Sequence, residues 1–506
     1  MLRVLLPIVV GVIIAERVTF PLWSVSLGFV LSVGVAAWLR SRSVANIYLF
    51  VAFALLGVMA VELRRGQSVE SLQELSERNY EVEVAIDRIT NHRADKVLCD
   101  GRVVAYRMGR EKSVMQRANF EVRGVADSSV VLQIGSRVVA NSRLRLFAHN
   151  SENRYEAYMA RRGVVGQLHL HQSDVMYHSL KGKGVVRWLH AKALQRLYCL
   201  SLTPQSRAVV EAMTIGERGS VDSSLREEYA RSGSAHLLAV SGLHVGFVFA
   251  VINILLLAFA LLRHGQLWRV VPAVAAIWIY AAVAGASPSV VRAAVMFSIL
   301  QLAFVVSART QALNSLAFTA SVMILCSASL LHDVGFLLSF AAVAGIVVWG
   351  VPLSRWSVVT RRPFERKLTY KSWRREAVQS VVVVVWKAVA MSLTASVATM
   401  PLTAYMFGVV SWWSVVLGPL MILIGMAVVS VAMAWILLPI GFLLGVASWL
   451  LETLTSTMNS IAAWCSQSGL LIQEGYISGW LCGGCYVAFV LFTLLLWSRD
   501  SANRLP

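Results

Sequence analysis

The chain has 506 residues, of which 57% are hydrophobic and only 14% charged, with a mean hydropathy of +0.65. A water-soluble domain carries roughly a quarter charged residues, so this composition excludes a soluble globular protein and indicates a membrane protein. The formal net charge of +19 suits loops facing anionic lipid and equally a polyanionic cargo; charge alone does not separate the two.

Three apolar runs open the chain, at about 4–15, 22–39 and 46–63, and define an N-terminal membrane segment of residues 1–63. The run Leu5–Ala15 follows Met-Leu-Arg as a signal peptide would, but two further runs follow at once, so it reads as a retained anchor. Composition then changes abruptly. Residues 64–180 read as short alternating strands: Tyr80–Ile89, Gly101–Met108, Asn119–Val125, Val130–Ile134, Ser136–Phe147 and Val164–Leu170. They suggest a small β-barrel or sandwich; an OB-like barrel fits the strand count, and another small β fold fits the pattern as well. Arg102, Arg107, Arg110, Lys112, Arg117 and Arg123 gather around a hairpin, with Tyr106 and Phe120 as stacking surfaces. That is the composition of a single-strand-binding face, and also of a solvated sheet edge.

Residues 181–233 form a linker. Val185–Leu202 is a basic amphipathic helix suited to a membrane surface, ended by Pro204, and Ser206–Met213 and Ser223–Arg231 are two short helices. Residues 234–498 are nearly continuous apolar sequence, with spans near 235–262, 267–285, 289–308, 311–331, 334–351, 379–400, 413–437 and 477–497. The stretch 438–466 is ambiguous, since Glu452, Thr453, Thr455, Ser456, Asn459 and Ser460 suit an interfacial helix at least as well as a lipid-facing span. Residues 499–506 make a cytoplasmic tail. The positive-inside rule puts Arg3, Arg40, Arg42, Arg263, Arg269, Arg309 and the basic loop from Arg355 to Arg375 in the cytoplasm, which leaves the β domain outside. Of six cysteines, Cys482 and Cys485 form a CxxC with no second ligand pair, which argues for packing rather than metal. A disulfide between Cys99 and Cys199 stays open.

Intramembrane polar groups are costly and mark function by default. Arg292, in an apolar segment after Pro288, is a candidate for a transport path or a snorkelling arginine. His236 and His244 flank Ser241-Gly242, where a broken helix could open a cavity or the histidines could simply pack. Asp333 is a further candidate for the path and also suits a helix cap before Gly335.

Several blocks resemble one family. Ser232-Gly-Ser-Ala-His-Leu-Leu-Ala-Val-Ser-Gly-Leu-His-Val245, Thr214-Ile-Gly-Glu-Arg-Gly, Pro288-Ser-Val-Val-Arg-Ala-Ala-Val-Met, Asp333-Val-Gly-Phe-Leu-Leu-Ser-Phe-Ala and Ser392–Leu402 stand in the order seen in ComEC-type competence proteins. The run from Asn150 to Gly166 resembles the block closing that family's extracytoplasmic OB domain. Leu337 and Ser396 stand where glutamine is expected, and Gly418 where asparagine is expected. The resemblance implies a polytopic α-helical membrane protein of the bacterial inner membrane with an extracytoplasmic OB-like β domain. It implies a channel bringing single-stranded DNA into the cytoplasm during natural transformation. The alternative is a transporter of another anionic polymer or of a lipid-linked substrate. Implied partners are single-stranded DNA, membrane lipids, a DNA receptor, a cytoplasmic DNA translocase and a separate nuclease. The nuclease domain that many relatives carry C-terminally is expected to be absent. His169-Leu-His-Gln-Ser-Asp174 is similar to the metal motif of such nucleases, but its aspartate comes one residue late and no further cluster completes a two-metal site. No catalytic residue, metal or cofactor is expected.

Overall fold

The structure is a computed structural model. It describes residues 2–39, 42–65, 75–76, 79–92, 96–108, 114–127, 132, 135–147, 153–179, 185–257, 265–306, 311–355, 370–469 and 471–502. Arg110, Lys112, most of the expected strand Val130–Ile134, and Arg40, Arg263, Arg309 and 361–367 of the charge argument lie outside the described residues. The chain is mostly helical, with a mixed sheet in its N-terminal part, and divides into two compact units.

The first unit comprises Met1–Val221, Val240–Phe336 and Ala434–Phe442. It opens with α1 (Leu2–Arg17), α2 (Leu22–Trp38) and α3 (Arg42–Arg65). α1 and α3 touch backbone to backbone: a Cβ on Gly11 would lie 1.9 Å from the Ala54 carbonyl oxygen. One on Gly57 would lie 2.3 Å from that of Ile8. Small residues allow such close approach where apolar attraction between helices is weak.

The sheet follows: β1 (Tyr80–His92), β2 (Lys96–Met108), β3 (Val114–Asp127), β4 (Arg137–Ser142), β5 (Leu144–Leu146), β6 (Val164–Leu170) and β7 (Val175–Ser179), in the order β5-β6-β3-β2-β1-β4-β7. Among the described residues of this sheet, β3 and β6 pair in parallel and the other pairs are antiparallel. β4 and β5 are joined by the single residue Arg143, and Ser142 Oγ donates to the His169 carbonyl of β6 at 2.8 Å. Inward residues of every long strand form one core, including Val84, Ile86, Cys99, Val103, Val122, Leu144 and Leu168. Burial in that core pushes the Cys99 thiol up to about 12. Cys99 and Cys199 are both free in this structure, Cys99 buried and Cys199 exposed. Between β5 and β6 lies α4 (Arg154–Arg161), begun by Asn153, whose side chain accepts from Tyr155 N–H.

Further helices of this unit are α5 (Val185–Tyr198) and α6 (Pro204–Thr214), the latter capped by Thr203 with Pro204 in its first turn. α8 (Gly242–Leu255), α9 (Gly265–Val283), α10 (Pro288–Val306) and α11 (Ala312–Cys326) complete it. The second unit comprises Asp222–Ala239, Leu337–Met433 and Leu443–Pro506. It holds α7 (Ser223–Arg231), most of α12 (Val334–Gly345), α13 (Val351–Arg355), α14 (Tyr370–Phe407) and α15 (Trp413–Val416). It also holds most of α16 (Gly418–Leu437) and all of α17 (Leu444–Ser468) and α18 (Gly479–Ala502). A five-residue π turn at Ile346–Gly350 runs α12 into α13; within it Gly350 lies against Thr394 of α14, as Gly345 does one turn earlier.

Among the described residues, four helical stretches are long and apolar enough to cross a membrane: Ser43–Leu63, Val334–Ser354, Val382–Phe407 and Gly418–Leu437. Six shorter apolar helices accompany them, including Leu22–Trp38, Gly242–Leu255 and Pro288–Ala303. Two expected spans need correction. The one at 235–262 begins as a helix only at Gly242, after a short 3-10 turn at Ala235–Leu238. The one at 413–437 breaks at Leu417. Most of the ambiguous stretch 438–466 belongs to the 25-residue helix α17, which runs on to Ser468 and is not among the apolar spans.

Candidate functional site

α8 and α10 run parallel, in contact along their length. Gly242, the first residue of α8, faces Arg292: a Cβ there would sit 3.0 Å from Arg292 Nη2. One turn on, a Cβ on Gly246 would sit 3.2 Å from Phe297, and Phe297 stacks on Phe249 at 4.6 Å. Two glycines four residues apart thus form a groove that receives a guanidinium and a ring. About 16 Å farther along α8, Asn253 Oδ1 accepts from Gln301 of α10 and from Arg269 of α9, both at 2.7 Å. The three helices therefore carry one cation at each end, joined by apolar and aromatic packing. Arg292 is buried, with 7% of its surface exposed.

The other expected path residues fall in different places. Ser241 caps α8, and its backbone N–H donates to His244 Nδ1 at 3.2 Å, which gives His244 a capping role and leaves its ring buried. His236 is exposed on the short turn and belongs to the second unit. Asp333 caps α12, accepting from Phe336 N–H at 2.9 Å, and its other oxygen pairs with Arg162 at 3.0 Å. Arg162 follows α4, so within the first unit this carboxylate links the end of α4 to residues 333–336.

In the sheet, the three arginines of the basic cluster whose side chains are described each face a carboxylate. Arg102 makes a two-pronged bond to Asp87 at 2.7 and 3.0 Å, Arg107 pairs with Glu81 at 3.0 Å, and Arg123 lies 3.8 Å from Asp100 with its guanidinium over the Tyr155 ring. Arg117 belongs to β3, but its side chain is outside the described residues. The stacking role expected for Tyr106 and Phe120 is corrected: they are 1% and 4% exposed, packed in the sheet's core, and offer no face to a base.

Sequence reasoning missed three polar groups. One is the Asn253–Arg269–Gln301 network, signalled by amides inside apolar runs. The second surrounds α6. Its Glu211 is a lone carboxylate in the buried run Ala208–Thr214, bonded by Ser220 Oγ at 2.9 Å; its other oxygen has no hydrogen-bond partner among the described residues. Nearby, His190 donates through Nδ1 to the Val283 carbonyl at 2.9 Å and points Nε2 toward Glu217 at 3.8 Å. Burial opposes protonation of His190, but Glu217, the Val283 carbonyl and Glu211 outweigh it and raise its proton affinity. Burial also raises the Glu211 carboxyl above the usual carboxylate range against the Ser220 hydrogen bond, with Glu217 adding to the rise. The third is a serine cluster in the second unit. Ser392 Oγ donates to the Ser414 carbonyl, and Ser396 and Ser414 hydroxyls lie 3.1 Å apart. Gly418 sits against Ser392. Two of the three unexpected residues, Ser396 and Gly418, thus lie at one spot, while Leu337 is a half-buried residue of α12.

Many apolar helices, several able to cross a bilayer, and a mixed sheet near the N-terminus are consistent with a multi-pass membrane protein. The sequence profile of the competence protein family matches residues 213–499, more than half of the chain, and the chain belongs to that family. It is similar to ComE operon protein 3 of Bacillus subtilis (strain 168), with 31% identity over 150 residues. That alignment covers 29% of this chain and 19% of the relative. No solved structure matches.

Proposed function

We propose that this chain carries single-stranded DNA across the bacterial inner membrane during natural transformation. The observation that carries the reading is the α8–α9–α10 group of a competence-family chain, with Arg292 buried against Gly242 at one end and Arg269 held by Asn253 at the other. A phosphate crossing a low-dielectric layer loses its hydration, and a fixed cation beside its route offsets part of that cost. The buried state of Arg292 is then the closed state of the path.

The same reading assigns residues 1–63 to N-terminal spans and 64–180 to a domain outside the cytoplasm. It assigns 181–233 to surface helices and linker, 234–498 to the channel, and 499–506 to a cytoplasmic tail. A closed OB-like barrel for the β domain is supported by the strand order, since the one-residue joint at Arg143 links the two sides of the sheet and Ser142 bonds across to β6. Its surface would receive the strand before the membrane path. The chain performs no chemistry in this scheme; a receptor, a separate nuclease and a cytoplasmic translocase supply the other steps. The test is a clean deletion in the competent host, followed by surface-bound and internalised labelled DNA. Retained surface binding with loss of internalised DNA is expected. Normal internalisation would overturn the reading.

A further inference from the structure

The cleft beside the β4–β5 joint is a second basic surface of the sheet, apart from the β1–β2–β3 face on which Arg102 and Arg107 lie. It is open, with a volume of about 560 Å³, and is lined by Asn79, Asn141, Arg143, Arg145, His169 and His171. Arg143 and Arg145 flank the buried Leu144, so both side chains leave the same face of the strand, about 7 Å apart. The register Leu144↔Leu168 and Arg145↔Gln167 brings His169 of β6 opposite Arg143.

The arginines are anchored rather than free-swinging. Arg143 Nε donates to the Ser76 carbonyl, and Arg145 pairs with Glu156 at 3.0 Å while staying 70% exposed. Each keeps guanidinium N–H groups beyond those contacts. His171 is held by Asp127 at 3.1 Å, and Asp174 is the acidic member of the lining. Burial lowers the proton affinity of His169, and His171, Lys96 and Arg145 lower it further.

We infer that this cleft binds the phosphate backbone of a single nucleic-acid strand, with Arg143 and Arg145 contacting phosphates and the imidazoles of His169 and His171 lying against bases. The inference rests on the transport reading above and adds to it the surface that receives the strand. Two fixed cations in file match an extended row of phosphates, and flat rings with side-chain amides suit unstacked bases. A lipid headgroup is the poorer occupant: Leu144 is buried and Leu146 half-buried, so the cleft has no exposed apolar rim to enter a bilayer. The Arg102–Arg107 face is the poorer surface because both of its arginines hold carboxylates, whereas in the cleft Arg143 is held by a neutral carbonyl and only Arg145 by a carboxylate.

The test uses the full-length protein in lipid nanodiscs and a fluorescein-labelled oligothymidylate, read by anisotropy over a salt series. Three double variants are compared with wild type: Arg143→Gln/Arg145→Gln, Arg143→Lys/Arg145→Lys and Arg102→Gln/Arg107→Gln. Loss of two phosphate contacts lowers the slope of log affinity against log salt by about 1.4. The first variant is expected to show that drop with at least about tenfold weaker binding, while the other two stay within about threefold of wild type. Wild-type affinity in the glutamine pair at 143 and 145, or equal loss in the pair at 102 and 107, overturns the cleft assignment and leaves the transport reading standing. Equal loss in the lysine pair shows that charge is not what matters and overturns it too. A duplex of the same length binding as tightly overturns the single-strand assignment. If wild type binds no oligothymidylate even at low salt, the strand-receiving role of the β domain fails with it.

Discussion

Asp333 provides the sharpest separation of structural from transport roles. Its two oxygens are committed, one to Phe336 N–H and one to Arg162, and its side chain is 13% exposed against 30% for the arginine. Loss of a helix cap costs about 1 kcal/mol, and a partly buried charged hydrogen bond is worth about 1.5–3 kcal/mol. Asp333→Ala forfeits both and is expected to destabilise by about 2.5–4 kcal/mol. Asp333→Asn keeps a side-chain oxygen for Phe336 and forfeits the ion pair, as does Arg162→Gln; each is expected to cost about 1–2 kcal/mol, reduced because the arginine is partly solvated. Because the two residues share one bond, the double variant should cost little more than either single, leaving a coupling of about 1–2 kcal/mol. Thermal unfolding of wild type, the two singles and the double in nanodiscs measures it. Costs that add within about 0.5 kcal/mol would refute the shared contact. At matched abundance Asp333→Asn should still take up DNA, because both carboxylate oxygens are committed to structural partners, Arg162 and Phe336 N–H.

The cluster around α6 sets a pH dependence. His190 and Glu211 both bind protons more tightly when folded, so the folded state holds more protons and loses stability as pH rises. The imidazole's contribution is complete below about 6.5 and the carboxyl's below about 4.3. Amide exchange over residues 185–222 should therefore quicken from pH 6.5 to 8 after correction for intrinsic rates, and His190→Gln/Glu211→Gln should flatten the change; an unaltered profile in that variant would contradict the assignment. Gly216 and Gly285 have nearly equal φ of +78° and +77°, but a Cβ on Gly216 would lie 2.6 Å from the Ala284 carbonyl while one on Gly285 meets nothing within 4 Å. Gly285→Ala should cost only the left-handed backbone penalty of about 1–2 kcal/mol, and Gly216→Ala clearly more; equal unfolding midpoints would show that the close approach has no weight.

Where periodicity was clear, the sequence located elements well. The strand Val164–Leu170 and the helix Ser223–Arg231 have the expected bounds, and the hairpin carrying the basic residues is the observed β2–β3 pair. The expected start of the span at 235 failed because Ala235–Val240 is apolar whether or not it is helical. Gly233 at φ +74° and the cap at Ser241 decide the local path, and neither leaves a mark in hydropathy. The stacking pair failed for two reasons. Phe120 and Arg123 have opposite parity on one strand and cannot share a face. Tyr106 has the parity of Arg102, but a register irregularity between Val103 and Ala105 turns it inward, a slip that side-chain alternation cannot show. Arg292 was legible because a cation in an apolar segment stands out. Glu211 and His190 were not, because their meaning depends on a loop and a helix end brought together from residues 190, 217 and 283.

The most direct measurement is entry of labelled DNA into the cytoplasm of a deletion strain complemented with wild type, Arg292→Lys or Arg292→Gln, each normalised to membrane abundance by immunoblot. If Arg292 acts on the path, the lysine variant retains part of the uptake and the glutamine variant loses most of it, while surface-bound DNA stays at the wild-type level. Wild-type uptake by Arg292→Gln would place this arginine off the path and contradict the account of the α8–α9–α10 group as the route of the strand.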